Sequence, residues 1–300
     1  MSYCADVLDL VGNTPLIKLT RITDMSLFAK AEFLNPGGSI KDRVAKHIIF
    51  EAERLGELKP GVLIVEATTG NTGIGIAFVG IQKGHPVKIV MPENMSEERK
   101  KIIKALGAEL ILTPAKKGVN EAIRLANEIA EKEHGWQLRQ FDNPLNPETH
   151  YLFTGREIWE RLEGKVHAFV AGVGSGGTIG GVSRFLKERD PSVRIIAVEP
   201  KQTAALLRQE PGLHAIQGIG DGFVPACLDT KLIDDLITVS DEDAIKTTRQ
   251  LASTQGLLVG TSSGANVWAA SFVARALGPT YNVVTVLPDR AERYFSTALI

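Results

Sequence analysis

The segment Phe169-Val170-Ala171-Gly172-Val173-Gly174-Ser175-Gly176-Gly177-Thr178 decides the fold. A short apolar run enters it, four glycines turn it, and a helical pattern over 177–189 leaves it. Strand, glycine loop and helix together form the unit of a doubly wound α/β sheet, in which free amides at the helix start receive an anion. Gly172, Gly174 and Gly177 fit G-x-G-x-x-G, and the acidic Glu199 ends the next strand run. Taken alone, that spacing is a dinucleotide fingerprint. The same loop serves equally as a cradle for a phosphomonoester, with the Ser175 and Thr178 hydroxyls as additional donors.

The alternation continues in both directions. Strand-like runs occupy 27–32, 62–67, 87–91, 109–112, 168–171, 194–198, 236–239 and 283–287. Helical patterns occupy 40–55, 72–83, 96–106, 120–134, 177–189, 241–254 and 264–277. Several strand runs are unbroken and β-branched, as in strands covered on both faces, so parallel sheets wrapped by helices are expected. Ser39, Ser96 and Ser240 read as helix starts, and Gly107 and Gly256 as stops. The Asn- and Pro-rich stretch 142–149 reads as an inter-lobe connector, and Arg99-Lys100-Lys101 as a solvated helix face.

The chain has 300 residues, longer than an ordinary single domain, so one large α/β unit or two lobes is expected. With 34 Lys+Arg against 35 Asp+Glu it lacks the basic excess of a nucleic-acid binder. No apolar stretch approaches the roughly 20 residues of a spanning helix. Cys4 and Cys227 are far apart with no metal spacing, and no basic segment followed by an apolar run opens the chain. A cytoplasmic location is expected. The six histidines show no paired spacing, and Cys227 and the three tryptophans read as packing residues.

The 29 glycines gather at junctions, and two more of these carry chemistry. Asn35-Pro36-Gly37-Gly38-Ser39-Ile40-Lys41-Asp42-Arg43 puts one lysine in the first turn of a helix. The positive end of the helix dipole disfavours an ammonium there, and an amine so placed suits Schiff-base chemistry. A dehydrogenase has no use for this element. The run Thr68-Thr69-Gly70-Asn71-Thr72 offers amides and hydroxyls in one concave loop that suits a carboxylate.

In this order the motifs resemble the cysteine synthases (O-acetylserine sulfhydrylases), within the fold type II pyridoxal-phosphate enzymes. The likeness runs from Val11-Gly12-Asn13-Thr14-Pro15-Leu16 to Glu292-Arg293-Tyr294-Phe295-Ser296-Thr297. It implies a two-lobed, tryptophan synthase β-like fold: a smaller mobile lobe over 37–145, and a larger one over 1–36 and 146–300. It implies that Lys41 forms the Schiff base with pyridoxal 5'-phosphate and acts as the catalytic base. Gly174, Ser175, Gly176, Gly177 and Thr178 would cradle the phosphate, Ser262 would bond the pyridine nitrogen, and Asn71 the ring oxygen. Thr68, Thr69, Gly70, Asn71 and Thr72 would bind the substrate carboxylate, and Gln140, with Phe141, would contribute to the substrate site.

The implied reaction replaces the acetoxy group of O-acetyl-L-serine by sulfide. The family's homodimer, and its binding of the serine acetyltransferase C-terminal tail, come with the resemblance. Thr69 and Ser175 depart from the usual serine and threonine, and Asp221 stands where many members have a small residue, biasing against anionic substrates. A phosphoserine-using enzyme would want an arginine near Gly218, where Gln217 stands instead. A cystathionine β-synthase-like enzyme and a non-catalytic cofactor-binding sensor or scaffold share every cofactor motif.

Overall fold

Neighbouring residues of the central strands enter different cores. Ala168 and Val170 pack into one hydrophobic cluster and Phe169 and Ala171 into another, and Ile196/Val198 and Ile195/Ala197 divide the same way. Period-2 side chains that are apolar in both phases require a sheet covered on both faces. The computed structural model, which describes residues 3–209, 212–297 and 299, has that architecture.

The larger sheet has the order β1-β2-β9-β6-β7-β8. Its strands are β1 (Leu16–Lys18), β2 (Leu27–Lys30), β6 (Ala168–Gly172), β7 (Arg194–Pro200), β8 (Asp235–Val239) and β9 (Val283–Val286). All neighbours are parallel except β1 and β2. The smaller sheet is parallel throughout, in the order β3 (Ile64–Ala67), β4 (Val87–Pro92), β5 (Glu109–Thr113). Helices α1 (Lys41–Leu55), α2 (Asn71–Gln82), α3 (Glu97–Ala105) and α4 (Gly118–Lys132) surround it. After α5 (Leu145–Thr149) and α6 (Arg156–Arg161), α7 (Gly177–Arg189), α8 (Asp241–Gln255) and α9 (Thr261–Leu277) cover the larger sheet.

Three local expectations need correction. The supposed connector over 142–149 contains α5, which runs through a π-helical turn, His150–Gly155, into α6. There Asn143 and Pro144 act as start signals: the Asn143 carboxamide accepts the Leu145 N–H at 3.0 Å. Ser96 precedes α3, but its hydroxyl is buried without a partner, whereas Ser240 caps α8 through its side chain, accepting the Asp243 N–H. Arg99 and Lys100 are buried, not solvated, with only Lys101 of that run exposed.

α9 crosses α8 at Gly264, where a Cβ would lie 2.1 Å from both the Ala244 carbonyl oxygen and Thr248 Oγ1. Ala is intrinsically favoured over Gly in a helix by about 1 kcal/mol. Here overpacking wins, and Gly264→Ala is expected to lower stability by about 2 kcal/mol, read as a lower urea midpoint at unchanged slope.

Candidate active site

Lys41 is the first residue of α1, and the Ser39 hydroxyl accepts its backbone N–H at 3.2 Å. Burial lowers the pKa of its ammonium, against the opposing pull of the Asp221 and Asp289 carboxylates. Desolvation thus acts in the direction expected from the helix dipole and is the largest cause.

Two adjoining recesses meet at Lys41. One is lined by Thr68, Thr69, Asn71, Thr72, Gln140 and Ser262, the other by Gly172, Gly174, Ser175, Gly176 and Thr178, and both include Lys41, Ser175 and Gly218. Residues from 41 to 262 in sequence therefore share one cleft. The parallel topology explains it, since the loops after β3 and β6 both leave the carboxyl ends of their strands.

The loop after β3 is internally fixed. Thr68 Oγ1 accepts the Gly70 N–H at 3.1 Å, and Thr72 Oγ1 donates to Gln140 Oε1 at 2.5 Å. Asn71 Nδ2 donates to Asp289 at 2.5 Å, while its Oδ1 accepts from Arg293 at 2.7 Å. Gln140 is held in turn by Glu66, whose carboxylate accepts the N–H groups of Leu138 and Arg139 at 3.0 and 3.1 Å.

Burial pushes the Glu66 carboxyl up to about 7, and Asp42, beside Lys41, also to about 7. A carboxyl whose folded pKa lies above its unfolded value contributes stability at low pH that is lost as pH rises through the folded value. Stability is accordingly expected to fall between about pH 4.5 and 7, with a shallower fall in Glu66→Gln, checked by urea unfolding across that range.

The loop after β6 forms a cradle that only glycine permits. Gly176 has φ +79°, a Cβ on Gly174 would lie 2.5 Å from the Gly218 carbonyl oxygen, and one on Gly177 would lie 2.0 Å from Asn146 Oδ1. The cradle opens at the start of the 13-residue α7. Asn146 Nδ2 donates to Ser175 Oγ at 3.0 Å and to the Gln140 carbonyl at 2.7 Å, so one residue of α5 couples the two recesses. Ser262, in the first turn of α9, is nearly buried and lines the cleft beside Gly218.

These features fit a phosphorylated aldehyde cofactor: an amine with lowered pKa, an amide-rich phosphate cradle, and a neutral hydroxyl near the cleft floor. They do not fit a dinucleotide. Glu199, the acid such a site would use for a ribose, is buried and accepts the Leu206 N–H at 3.1 Å.

Four residues at or behind the cleft escape sequence reasoning: Arg99 and Asp289 line it, and Asn146 and Arg293 hold residues that do. Asn146 belongs to no motif, and although Arg293 lies within the closing motif 292–297, neither it nor Asp289 has a role that sequence assigns; the fold brings both to Asn71. Arg99 looked like surface charge, yet its Nη1 donates to the Thr69 carbonyl at 3.3 Å and to Gln217 Oε1, and its guanidinium lies 4.7 Å above the Tyr294 ring. An arginine therefore does stand beside the Gly218 loop, supplied by α3. Cys227 is half-buried, its thiol pushed up to about 11 by burial and donating to the Phe141 carbonyl at 3.1 Å, so it is no nucleophile.

Comparison with known proteins agrees with this geometry. The chain is 47% identical over 299 residues to a cysteine synthase of Staphylococcus aureus, covering 98% of this chain and 96% of that one. Its backbone superposes on an O-ureido-L-serine synthase with a TM-score of 0.97 at 41% identity, covering 99% and 95% of the two chains. It matches a cysteine synthase of Entamoeba histolytica with a TM-score of 0.95 at 39% identity, covering 99% and 91%. Residues 7–289 match the pyridoxal-phosphate dependent enzymes, and the chain belongs to that family.

Proposed function

We propose that the protein is a cysteine synthase, replacing the acetoxy group of O-acetyl-L-serine by sulfide to give L-cysteine and acetate. The observation that carries this reading is Lys41 standing where the carboxylate loop and the phosphate cradle meet. Gly174, Ser175, Gly176, Gly177 and Thr178 would hold the cofactor phosphate, Ser262 its ring nitrogen and Asn71 its ring oxygen. Pyridoxal phosphate supplies the electron sink for charge developing at Cα. Thr68, Thr69, Gly70, Asn71, Thr72 and Gln140 orient the substrate carboxylate, and the bonds from Asp289 and Arg293 fix the Asn71 amide.

The Lys41 amine takes the α-proton and later returns it. Its lowered pKa leaves a larger share of neutral amine for that transfer. Because Ser262 is a neutral hydroxyl, it would stabilise a protonated ring nitrogen less than a carboxylate does, which favours departure of a good leaving group over transamination.

In this reading residues 37–145 form the lobe that carries the substrate loop, and residues 1–36 and 146–300 the lobe that carries the cradle. A homodimer would cover the exposed Phe50, Leu152 and Phe153. Arg99 beside Gln217 favours a second reading, a phosphoserine donor, but the Asp221 carboxylate in the same cleft opposes a dianionic leaving group. The test supplies holoenzyme with sulfide and either O-acetylserine or O-phosphoserine. Equimolar cysteine and acetate from the first, at the higher rate, is the expected result. A faster reaction with phosphoserine, or bound cofactor and no cysteine, overturns it.

A further inference from the structure

Of the charged residues lining the cleft, Asp289 is bonded to Asn71 and Arg99 to Thr69 and Gln217, and Lys41 takes the proton, which leaves the Asp221 carboxylate facing the cleft. Asp221 lines the same recess as Lys41, Thr68 and Ser262, and its side chain is open to the cleft. Among the described residues no group donates a hydrogen bond to its carboxylate, and the Lys41 ammonium is the foremost charge that favours its ionised form. Its loop is firmly held. Gly218, Gly220 and Gly222 all take positive φ, the Gly220 N–H donates to the Val173 carbonyl at 2.9 Å, and the Gln217 N–H donates to Thr261 Oγ1 at 3.1 Å. His214 Nε2 contacts the Gly220 carbonyl at 3.0 Å, bracing the loop from outside.

A rigid loop that presents an unpartnered carboxylate to a reaction cleft is built for a ligand cation. In the loaded enzyme Lys41 would be committed to the cofactor, which removes the foremost positive charge acting on Asp221. We propose that Asp221 is a specificity-determining residue that favours an amine-bearing, cationic nucleophile over an anionic one. The second substrate so selected is an aminothiol carrying its ammonium group near the sulfur. In the reaction the new S–C bond forms at Cβ, the Cβ–O bond to acetate breaks, and the thiol proton is released with the acetate. This inference rests on the β-replacement reading.

The test uses three thiols of similar size with O-acetylserine: cysteamine as cation, mercaptoethanol as neutral, and thioglycolate as anion. Each thiol is compared between the natural enzyme and Asp221→Asn, which cancels its intrinsic reactivity. The ratio of cysteamine to thioglycolate kcat/KM is expected to fall about tenfold or more in Asp221→Asn and to recover in Asp221→Glu. An unchanged ratio overturns the proposal.

A second readout needs no turnover. Diaminopropionate, serine and aspartate are titrated against the cofactor absorbance of the holoenzyme. The cation should lose affinity and the anion gain it in Asp221→Asn, and equal shifts for all three overturn the proposal. If O-acetylserine is not consumed at all, the β-replacement reading fails, while these affinities still decide the charge preference of Asp221.

Discussion

Lys41→Ala is expected to retain cofactor in the cradle while losing turnover by about 10⁴-fold, the upper range for removing a positioned base. The expectation rests on the cleft offering no substitute. Asp221 and Asp289 face the same space, but both are carboxylates, and neither forms the covalent link an amine provides. Lys30, the most deeply buried lysine among the described residues, pairs with Glu157 at 2.5 Å and lies outside the cleft lining. Because the glycine cradle is untouched, Lys41→Ala should still co-purify with cofactor, now extractable without breaking a covalent bond. Retained turnover within about tenfold of the natural enzyme would place the base elsewhere.

The second large effect concerns the charge cluster behind the site. Arg43, two residues beyond Lys41, donates through Nε and Nη2 to Glu32 at 2.6 and 2.8 Å and through Nη1 to Glu157 at 2.7 Å. Glu32 is fully buried and also accepts from Thr14 Oγ1 at 2.6 Å and Asn35 Nδ2 at 2.8 Å. Removing Arg43 leaves the Glu32 carboxylate in the interior with no opposite charge in direct contact. Arg43→Ala is therefore expected to cost about 3–5 kcal/mol in urea unfolding. Arg43→Lys should recover only part of this, because a single ammonium does not reproduce the bidentate fork.

The pH dependence has a definite sign. Against the cost of burial, the Arg43 charge holds Glu32 down to about 2. A carboxyl with a depressed folded pKa contributes stability present above its unfolded value and lost as pH falls through the folded one. The natural protein should lose this contribution between about pH 4.5 and 2, a loss that shrinks in Arg43→Ala. A cost below about 1 kcal/mol for Arg43→Ala would show that the cluster is no more than a surface-type pair.

What the chain makes legible is what it encodes locally. The strand–glycine–helix unit at 168–189, the first-turn Lys41 and the loop 68–72 are contiguous, so sequence places each one, and the sheet order brings them together. β1 was missed because three residues carry no periodicity, and it owes its existence to pairing Leu16 with Lys30 and Lys18 with Phe28. Residues 145–161 were hidden by Asn and Pro that begin a helix but read equally as loop. Arg99 was misread because charge patterning describes an isolated helix, whereas α3 turns that face onto Thr69, Gln217 and Tyr294. Asp289 and Arg293 both reach Asn71 from more than two hundred residues away, and Asn146 reaches Ser175 from the next strand–helix unit, contacts that local pattern does not encode.

The glycines illustrate both sides. Gly176 is readable as a turn residue from its neighbours, and its positive φ agrees. Gly264 is not, because its need for a missing side chain comes from Ala244 and Thr248 on another helix.

The central claim is that Lys41 carries the cofactor, and borohydride reduction of the holoenzyme followed by peptide mass mapping tests it most directly. The account predicts one reduced pyridoxyl group, on the peptide containing Lys41 and nowhere else. A pyridoxyl group on Lys30 or any other lysine, or none on a protein that retains its cofactor, would contradict it.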